Sequence, residues 1–146
     1  MTHFLPARLV PVVIFCVSLL ACSSQNKALA PDPVASLQSV PPADSGKYER
    51  IADMRNWRNP YLVVGADGLA LLDPSNSAEI VLKPDELLAA LARLPASAWP
   101  YGRVVAVAES GLRSSEPDNV AIRRNKGIVG GILAGAHVAV DWIPSA

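Results

Sequence analysis

The feature that most limits what this chain can fold into is an uncharged, mostly apolar run, residues 9–21, that stops at Cys22. The run has thirteen residues and follows a segment with one firm positive charge, Arg8. A helix that crosses a bilayer needs about 20 such residues, whereas the apolar part of an export signal has about 7 to 15. Pro11 also disfavours a long helix. The run therefore predicts an export signal, and the folded part must form from later residues.

The end of the run, Leu19-Leu20-Ala21-Cys22, resembles the lipobox of bacterial lipoproteins. This resemblance implies a signal peptide over residues 1–21 and a diacylglycerol and palmitate anchor on Cys22. Several acyl chains would hold the protein firmly, because each buried CH₂ contributes ~0.8 kcal/mol. Ser23 at the second mature position implies sorting to the outer membrane, facing the periplasm. An ordinary secretory signal cleaved elsewhere, or an uncleaved anchor, is the alternative.

Cysteine content and charge exclude several kinds of site. The chain has two cysteines, Cys16 and Cys22, so cleavage and lipidation would leave no thiol for a disulfide, a metal ion or a nucleophile. Subtracting Arg8 from thirteen Lys and Arg leaves twelve, against thirteen Asp and Glu, so the mature net charge is minus one. That balance disfavours nucleic-acid binding. We expect no metal and no cofactor.

The mature chain divides into two parts. Residues 22–47 are rich in Ser, Ala and Pro and have no clear apolar period, which predicts a lipidated, disordered tether. Residues 48–146 are long enough for one small globular α/β domain with a single modest core.

Within that domain the pattern predicts the element order β-β-α-β-α-β. Strands flank the Asp67-Gly68 turn, and residues 79–82 extend the second of them. Pro84 opens a helix with a leucine stripe, residues 103–109 form a buried strand, and residues 137–143 form the last strand. Between these two strands, a helix capped by Asp118 or Asn119 runs to about Ala136.

The expected fold class is an α/β (α+β) two-layer sandwich with one mixed sheet of about four strands and two helices on one face. The other face needs a cover, and the candidates are residues 48–57 or a partner.

This element order, with the Ala66-Asp67-Gly68 hairpin after an opening strand, is similar to the periplasmic domain of the ExbD/TolR proteins. The similarity covers residues 59–143 and implies that fold together with strand-edge or dimeric association. That family is anchored by a transmembrane helix with a proton-sensing aspartate, which this sequence does not show. No energy-coupling residue is therefore implied here.

Three glycines, Gly127, Gly131 and Gly135, recur every four residues beside Gly130. On a helix they form a face nearly free of side chains, at a cost of ~1 kcal/mol each relative to alanine. The favoured interpretation is close packing of this helix on the sheet. Glycine repeats also occur where membrane helices meet, but this uncharged stretch is too short to span.

Candidate partner-binding residues form two groups. Arg55, Trp57 and Arg58 combine an aromatic ring with two guanidinium groups, a combination enriched at interaction hot spots. Arg123 and Arg124, near Lys126 and Arg113, could contact a phosphate or an acidic patch, or could form an ordinary solvated helix face. Trp57 is equally well interpreted as a core anchor, and Trp99 and Trp142 are expected in the core.

Catalytic residues are poorly supported. The only mature histidine is His137, and Ser110 lacks the glycines of a nucleophile elbow. Glu109 and Asp141 could approach one another if their strands pair, as in glycosidases, or could be two strand-end acids facing water.

The sequence thus predicts a lipid-anchored cell-envelope protein, not an enzyme, that binds or assembles with another envelope protein or a cell-wall component. The alternatives are a peptidoglycan-directed hydrolase that uses Glu109 and Asp141, and a subunit that self-associates through a sheet edge.

Overall fold

The computed structural model describes residues 31–74, 78–110 and 115–144. Their centre is one open, mixed sheet in the order β3-β2-β1-β4-β5. The strands are β1 (Tyr61–Val64), β2 (Leu69–Asp73), β3 (Ala78–Leu82), β4 (Val104–Glu109) and β5 (Ala139–Trp142). Strand β2 is antiparallel to both β1 and β3, whereas β4 is parallel to both β1 and β5. The expected α+β class is therefore confirmed.

The sheet has five strands rather than about four. Residues 79–82 do not extend β2. They form the separate strand β3, which runs back along β2 with Val81 opposite Ala70 and Ile80 opposite Leu71. Pro74 directly follows β2, and its missing N–H cannot continue a ladder. Strand β3 stands first in the strand order and is therefore an edge of the sheet.

The turn between β1 and β2 follows the sequence prediction. The N–H of Gly65 donates to the carbonyl oxygen of Gly68 at 2.9 Å, which closes the two-residue turn Ala66-Asp67. A Cβ at position 68 would lie 2.9 Å from the carbonyl oxygen of Leu82. Glycine at this position therefore also lets the end of β3 approach the hairpin.

The helices are α1 (Pro33–Gln38), α2 (Ser45–Tyr48), α3 (Leu87–Ala92) and α4 (Glu116–Gly135). Helix α4 begins earlier than predicted because Ser115 caps it. The Ser115 hydroxyl accepts from the N–H of Asp118 at 3.3 Å, and the Asp118 carboxylate accepts from the N–H of Ser115 at 3.2 Å. This is a capping box. The helix ends where His137 takes a left-handed φ of 56°.

Apolar side chains pack on both faces of the sheet. The main core lies between the sheet and helices α1, α3 and α4, with Leu37, Leu91, Val107 and Leu133 almost fully buried. A smaller cluster on the other face is built on Trp57, Val104 and Ala106. Partly buried side chains from residues 43–54 pack against this second cluster: Ala43, Tyr48, Ile51 and Met54. The cover expected from residues 48–57 is therefore present.

The disordered tether predicted up to Lys47 is wrong for residues 31–47. The Asp32 carboxylate caps α1 by accepting from the N–H of Val34 at 3.0 Å. Leu37 is 1% exposed and belongs to the main core. Val34, Leu37 and Val40 recur at a spacing of three, and this spacing gives α1 an apolar side that packs against α3. The folded part thus begins by Asp32 rather than at Tyr48. The rest of the predicted tether, residues 22–30, lies outside the described residues.

A buried asparagine fixes the loop before β4. Asn59 is 0% exposed, and its Nδ2 donates to the carbonyl oxygens of Gly102 at 2.7 Å and Val104 at 2.8 Å. Its Oδ1 accepts from the N–H of Tyr101 at 2.9 Å. The side chain thus binds three backbone groups, of which the Gly102 carbonyl oxygen also accepts from the N–H of Val104 at 2.8 Å.

Candidate functional site

In the first predicted group, Arg55, Trp57 and Arg58, the tryptophan ring is buried rather than exposed to solvent. Trp57 is 6% exposed and its Nε1 donates to the carbonyl oxygen of Pro60 at 3.2 Å. The ring packs edge-on against Tyr48 and Tyr101, with centroid distances of 5.8 and 5.4 Å. Of the two interpretations left open by the sequence, the structure supports the core anchor. Trp57 is therefore not an accessible contact residue.

Its two arginine neighbours are exposed. The Arg55 guanidinium donates to both oxygens of Asp53, at 2.7 to 3.1 Å. This contact lowers the pKa of the Asp53 carboxyl and raises the pKa of Arg55. Arg58 shares a shallow groove with Tyr61 and Leu72. Local pairing thus partly neutralises the positive charge of this group.

The second group, Arg123 and Arg124, lies on α4. Arg123 pairs with Glu116 at 3.2 Å on the helix surface, and Arg124 is exposed. Because α4 covers one face of the sheet and the segment with Arg55 and Arg58 covers the other, the two groups do not join into one basic patch. Arg113 lies outside the described residues.

Glu109 and Asp141 project from opposite faces of the sheet. The Lys126 ammonium on α4 forms an ion pair with the Glu109 carboxylate, with 2.5 Å between Nζ and Oε1. Asp141 shares the opposite face with Ala139 and Ile143, which pack in the Trp57 cluster. Burial, together with the charge of Glu49, raises the pKa of Asp141. The register therefore does not bring the two acids together as a catalytic pair.

Ser110 and His137 are also separated. Val104 at the start of β4 pairs with Ala139, two residues after His137, whereas Ser110 follows the last residue of β4. Since β4 has six residues, the two side chains lie roughly 20 Å apart along the strand. In the described ranges, no group of three or more His, Cys, Asp or Glu side chains is arranged to hold a metal ion.

The prediction that the glycine repeat packs on the sheet is wrong. A Cβ at Gly127, Gly131 or Gly135 would meet nothing within 4 Å, so these glycines face open space. Only Gly130 turns toward the sheet, where its Cβ would lie 3.6 Å from the Trp142 ring. The four-residue spacing does place these three glycines on one side of α4. Spacing alone, however, does not say which side of a helix is buried.

The other tryptophans differ from one another. Trp99 is 5% exposed and belongs to the main core, as predicted. Trp142 was also expected in the core but is 42% exposed. The Lys126 ammonium lies 4.8 Å from its ring centroid, so Lys126 contacts both Glu109 and Trp142. This arrangement fixes the end of β5 to α4.

The surface that sequence reasoning missed is the outer edge of β3. Val81 is 78% exposed and Ile80 is 41% exposed, although both belong to a strand. Their side chains point to opposite faces, because successive residues of a strand alternate. No strand in the described part of the chain pairs with this edge. A period-2 pattern cannot reveal such a strand, since only Leu82 at its end is buried.

The side of β3 that faces the helices adjoins a groove. Its walls are the β3 residues Ile80 and Leu82 and the α3 residues Ala89 and Ala90, with Asp85 and Glu86 at the rim. A strand laid along β3 could therefore place one side chain into this groove and the next on the opposite face. Edge strands of this kind are common sites of strand addition.

Comparison with known proteins gives no relative: no family model, curated protein or solved structure matches the chain. None of the helices within the described residues is both long and apolar enough to cross a bilayer.

Proposed function

We propose that this chain is a lipid-anchored protein of the cell envelope that acts as a non-catalytic binding or assembly module, with the outer edge of β3 as its contact surface. The observation that carries the proposal is the 78% exposure of Val81 within an edge strand. Large apolar side chains at an open edge are an aggregation hazard that proteins normally cover or replace with charges. A partner strand would remove that hazard.

The cellular location in this proposal rests on Cys22 and the apolar run before it, residues 9–21. Nine Cα-to-Cα steps separate Cys22 from Pro31, the first described residue. Even fully extended, these steps span only about 30 Å. An anchor at Cys22 would therefore hold the domain within about one bilayer thickness of the membrane surface. This position favours a partner that lies on or in the same membrane, or in the cell wall next to it.

The proposal that the protein is not a catalyst is supported by the separation of its candidate catalytic side chains. Glu109 and Asp141 use opposite faces of the sheet, and Ser110 and His137 lie at opposite ends of β4. The Glu109 carboxylate is paired with the Lys126 ammonium, so it is not free to act as a general acid or base. A binding role requires none of these groups to meet.

The test is photo-cross-linking in intact cells. A photo-activatable amino acid replaces Val81 in the full-length chain, and a matched chain carries it at Val120, which is 54% exposed on α4. We expect a covalent adduct in the membrane fraction from position 81 and little or none from position 120. Equal yields at the two positions, or no adduct at position 81, would contradict the proposal.

A further inference from the structure

The backbone of β3 is set for pairing at its outer edge. The hydrogen bond from Gly65 to Gly68 makes these residues a hydrogen-bonded pair, so the next residues of β2 alternate between β1 and β3. Leu71 therefore directs its backbone groups toward β3, where it lies opposite Ile80. By the same alternation, Glu79 and Val81 direct their N–H and C=O groups away from β2.

The side chains at this edge have a charge pattern that is complementary to itself. Glu79 precedes Val81 by two residues and Lys83 follows it by two, so all three point to the same face. Lys83 continues the extended conformation beyond β3, with φ −86° and ψ 159°. The strand itself has one negative charge and contains neither proline nor lysine, two residue types that commonly block edges.

An antiparallel copy of the same segment fits this pattern in one register. Placing Val81 opposite the partner's Val81 also places Glu79 opposite the partner's Lys83, and Lys83 opposite the partner's Glu79. Opposite charges in directly facing positions stabilise a strand pair, whereas like charges destabilise it. The register also covers Val81, the most exposed large apolar side chain of the described residues. The N–H of Lys83 donates to the Glu86 carboxylate at 2.8 Å, and its carbonyl oxygen accepts from the N–H of Glu86 at 3.1 Å, so Lys83 contributes its side chain.

We infer that the occupant of the β3 edge is a second copy of this chain, paired antiparallel about a two-fold axis at Val81. Two five-stranded sheets then form one ten-stranded sheet, and two acidic–basic pairs flank the axis. This inference rests on the proposed function, because it fills the same edge, and it narrows the partner to the chain itself. A two-fold interface of this kind closes on itself and leaves no further β3 edge open.

The register predicts which single cysteine can cross-link two copies. At Val81 the two Cα atoms would lie about 5.5 Å apart, within the range of a disulfide. Two copies of Glu79 would be offset by four residues, roughly 13 Å along the strands, and two copies of Ile80 by two residues, with Cα atoms roughly 8 Å apart. Both separations exceed the reach of a disulfide.

The experiment expresses full-length Val81→Cys, Ile80→Cys and Glu79→Cys chains and oxidises intact membranes. In the lipidated protein proposed above, the introduced residue is the only thiol, because Cys16 leaves with the signal. We expect a disulfide-linked dimer from Val81→Cys, with at least tenfold less from the other two. A dimer from Ile80→Cys instead, equal dimer from all three, or no dimer from any would overturn the inference.

A charge exchange in the Val81→Cys background gives a second readout. Glu79→Lys or Lys83→Glu alone places like charges opposite each other, so the dimer yield should fall at least fivefold. The two changes together restore opposite charges and should restore the yield. If either single change leaves the yield unchanged, the register is wrong. Circular dichroism of each variant is the control that checks whether the fold is kept.

Failure of this inference is distinguishable from failure of the proposed function. If Val81 photo-cross-links to a different protein while Val81→Cys forms no dimer, the binding module stands and self-pairing is rejected. If position 81 gives neither adduct nor dimer, both are rejected.

Discussion

The Nδ2 of Asn59 lies 2.7 Å from the carbonyl oxygen of Gly102, across 43 residues of sequence. The same amide also binds Val104 and Tyr101, so one buried side chain fixes the loop that leads into β4. Because β4 lies between β1 and β5 and is parallel to both, this contact helps to fix where the parallel part of the sheet begins.

Removing that amide should be costly. Asn59→Ala removes the side-chain partner of the Tyr101 N–H and of the Val104 carbonyl oxygen, whereas the Gly102 carbonyl oxygen keeps the N–H of Val104. We therefore expect the free energy of unfolding to fall by about 2 to 4 kcal/mol. Asn56→Ala is the matched control, because Asn56 is exposed and its carbonyl oxygen, which accepts from Tyr101, is retained. Urea unfolding measures both. A loss at position 59 no larger than at position 56 would contradict this role.

Leu37 tests whether the folded domain begins before Tyr48. Leu37→Ala should lower the free energy of unfolding by about 2 to 5 kcal/mol, as expected for a buried leucine. Gln38→Ala, at an exposed position of α1, should change it by less than about 0.5 kcal/mol. Similar small effects at both positions would mean that residues 31–47 are the tether that the sequence predicted.

The glycines of α4 should be replaceable without loss of folding. Gly131→Ala meets nothing within 4 Å and should raise the free energy of unfolding by about 1 kcal/mol, because alanine favours the helix. Gly102→Ala is the opposite case, since Gly102 has a φ of 78° and its Cβ would overlap the carbonyl oxygen of Pro42. That variant should be strongly destabilised. A stability loss in Gly131→Ala would show that this face is covered.

Asp141 should make stability depend on pH. Burial and Glu49 raise its pKa above 3.8, so the folded state binds more protons than the unfolded state as this carboxyl titrates. Stability therefore falls as pH rises through the interval between 3.8 and the raised pKa, and it stays lower above that interval. Asp141→Asn should be more stable than wild type at neutral pH and equal to it well below pH 3.8.

Chemical denaturation at neutral and at acid pH measures this difference. Glu49→Gln should produce a smaller stabilisation of the same sign, because Glu49 supplies only part of the effect on Asp141. A neutral-pH stability of Asp141→Asn below that of wild type would contradict the assignment.

Local signals in the sequence were enough for much of the fold. The Asp67-Gly68 turn, the leucine stripe of α3 and the apolar run of β4 each specify one element through neighbouring residues, and each is present in the structure. The cover over the second face was also predictable, since a sheet with an exposed apolar face requires one.

Other features depend on contacts that are distant in sequence. Helix α1 has only six residues in a proline-rich segment, and packing against α3 stabilises it. Strand β3 buries only Leu82 fully, so its period-2 signal is weak. Whether Glu109 and Asp141 meet is decided by strand register, and which side of α4 faces the sheet is decided by packing. Neither can be obtained from spacing within one segment.

The measurement that tests the account most directly is mass spectrometry of the protein purified from its native membrane. The account predicts that the mature chain begins at Cys22 and carries the added mass of a diacylglycerol and a fatty acid. A chain that keeps Met1, or one with an unmodified thiol at position 22, would contradict it.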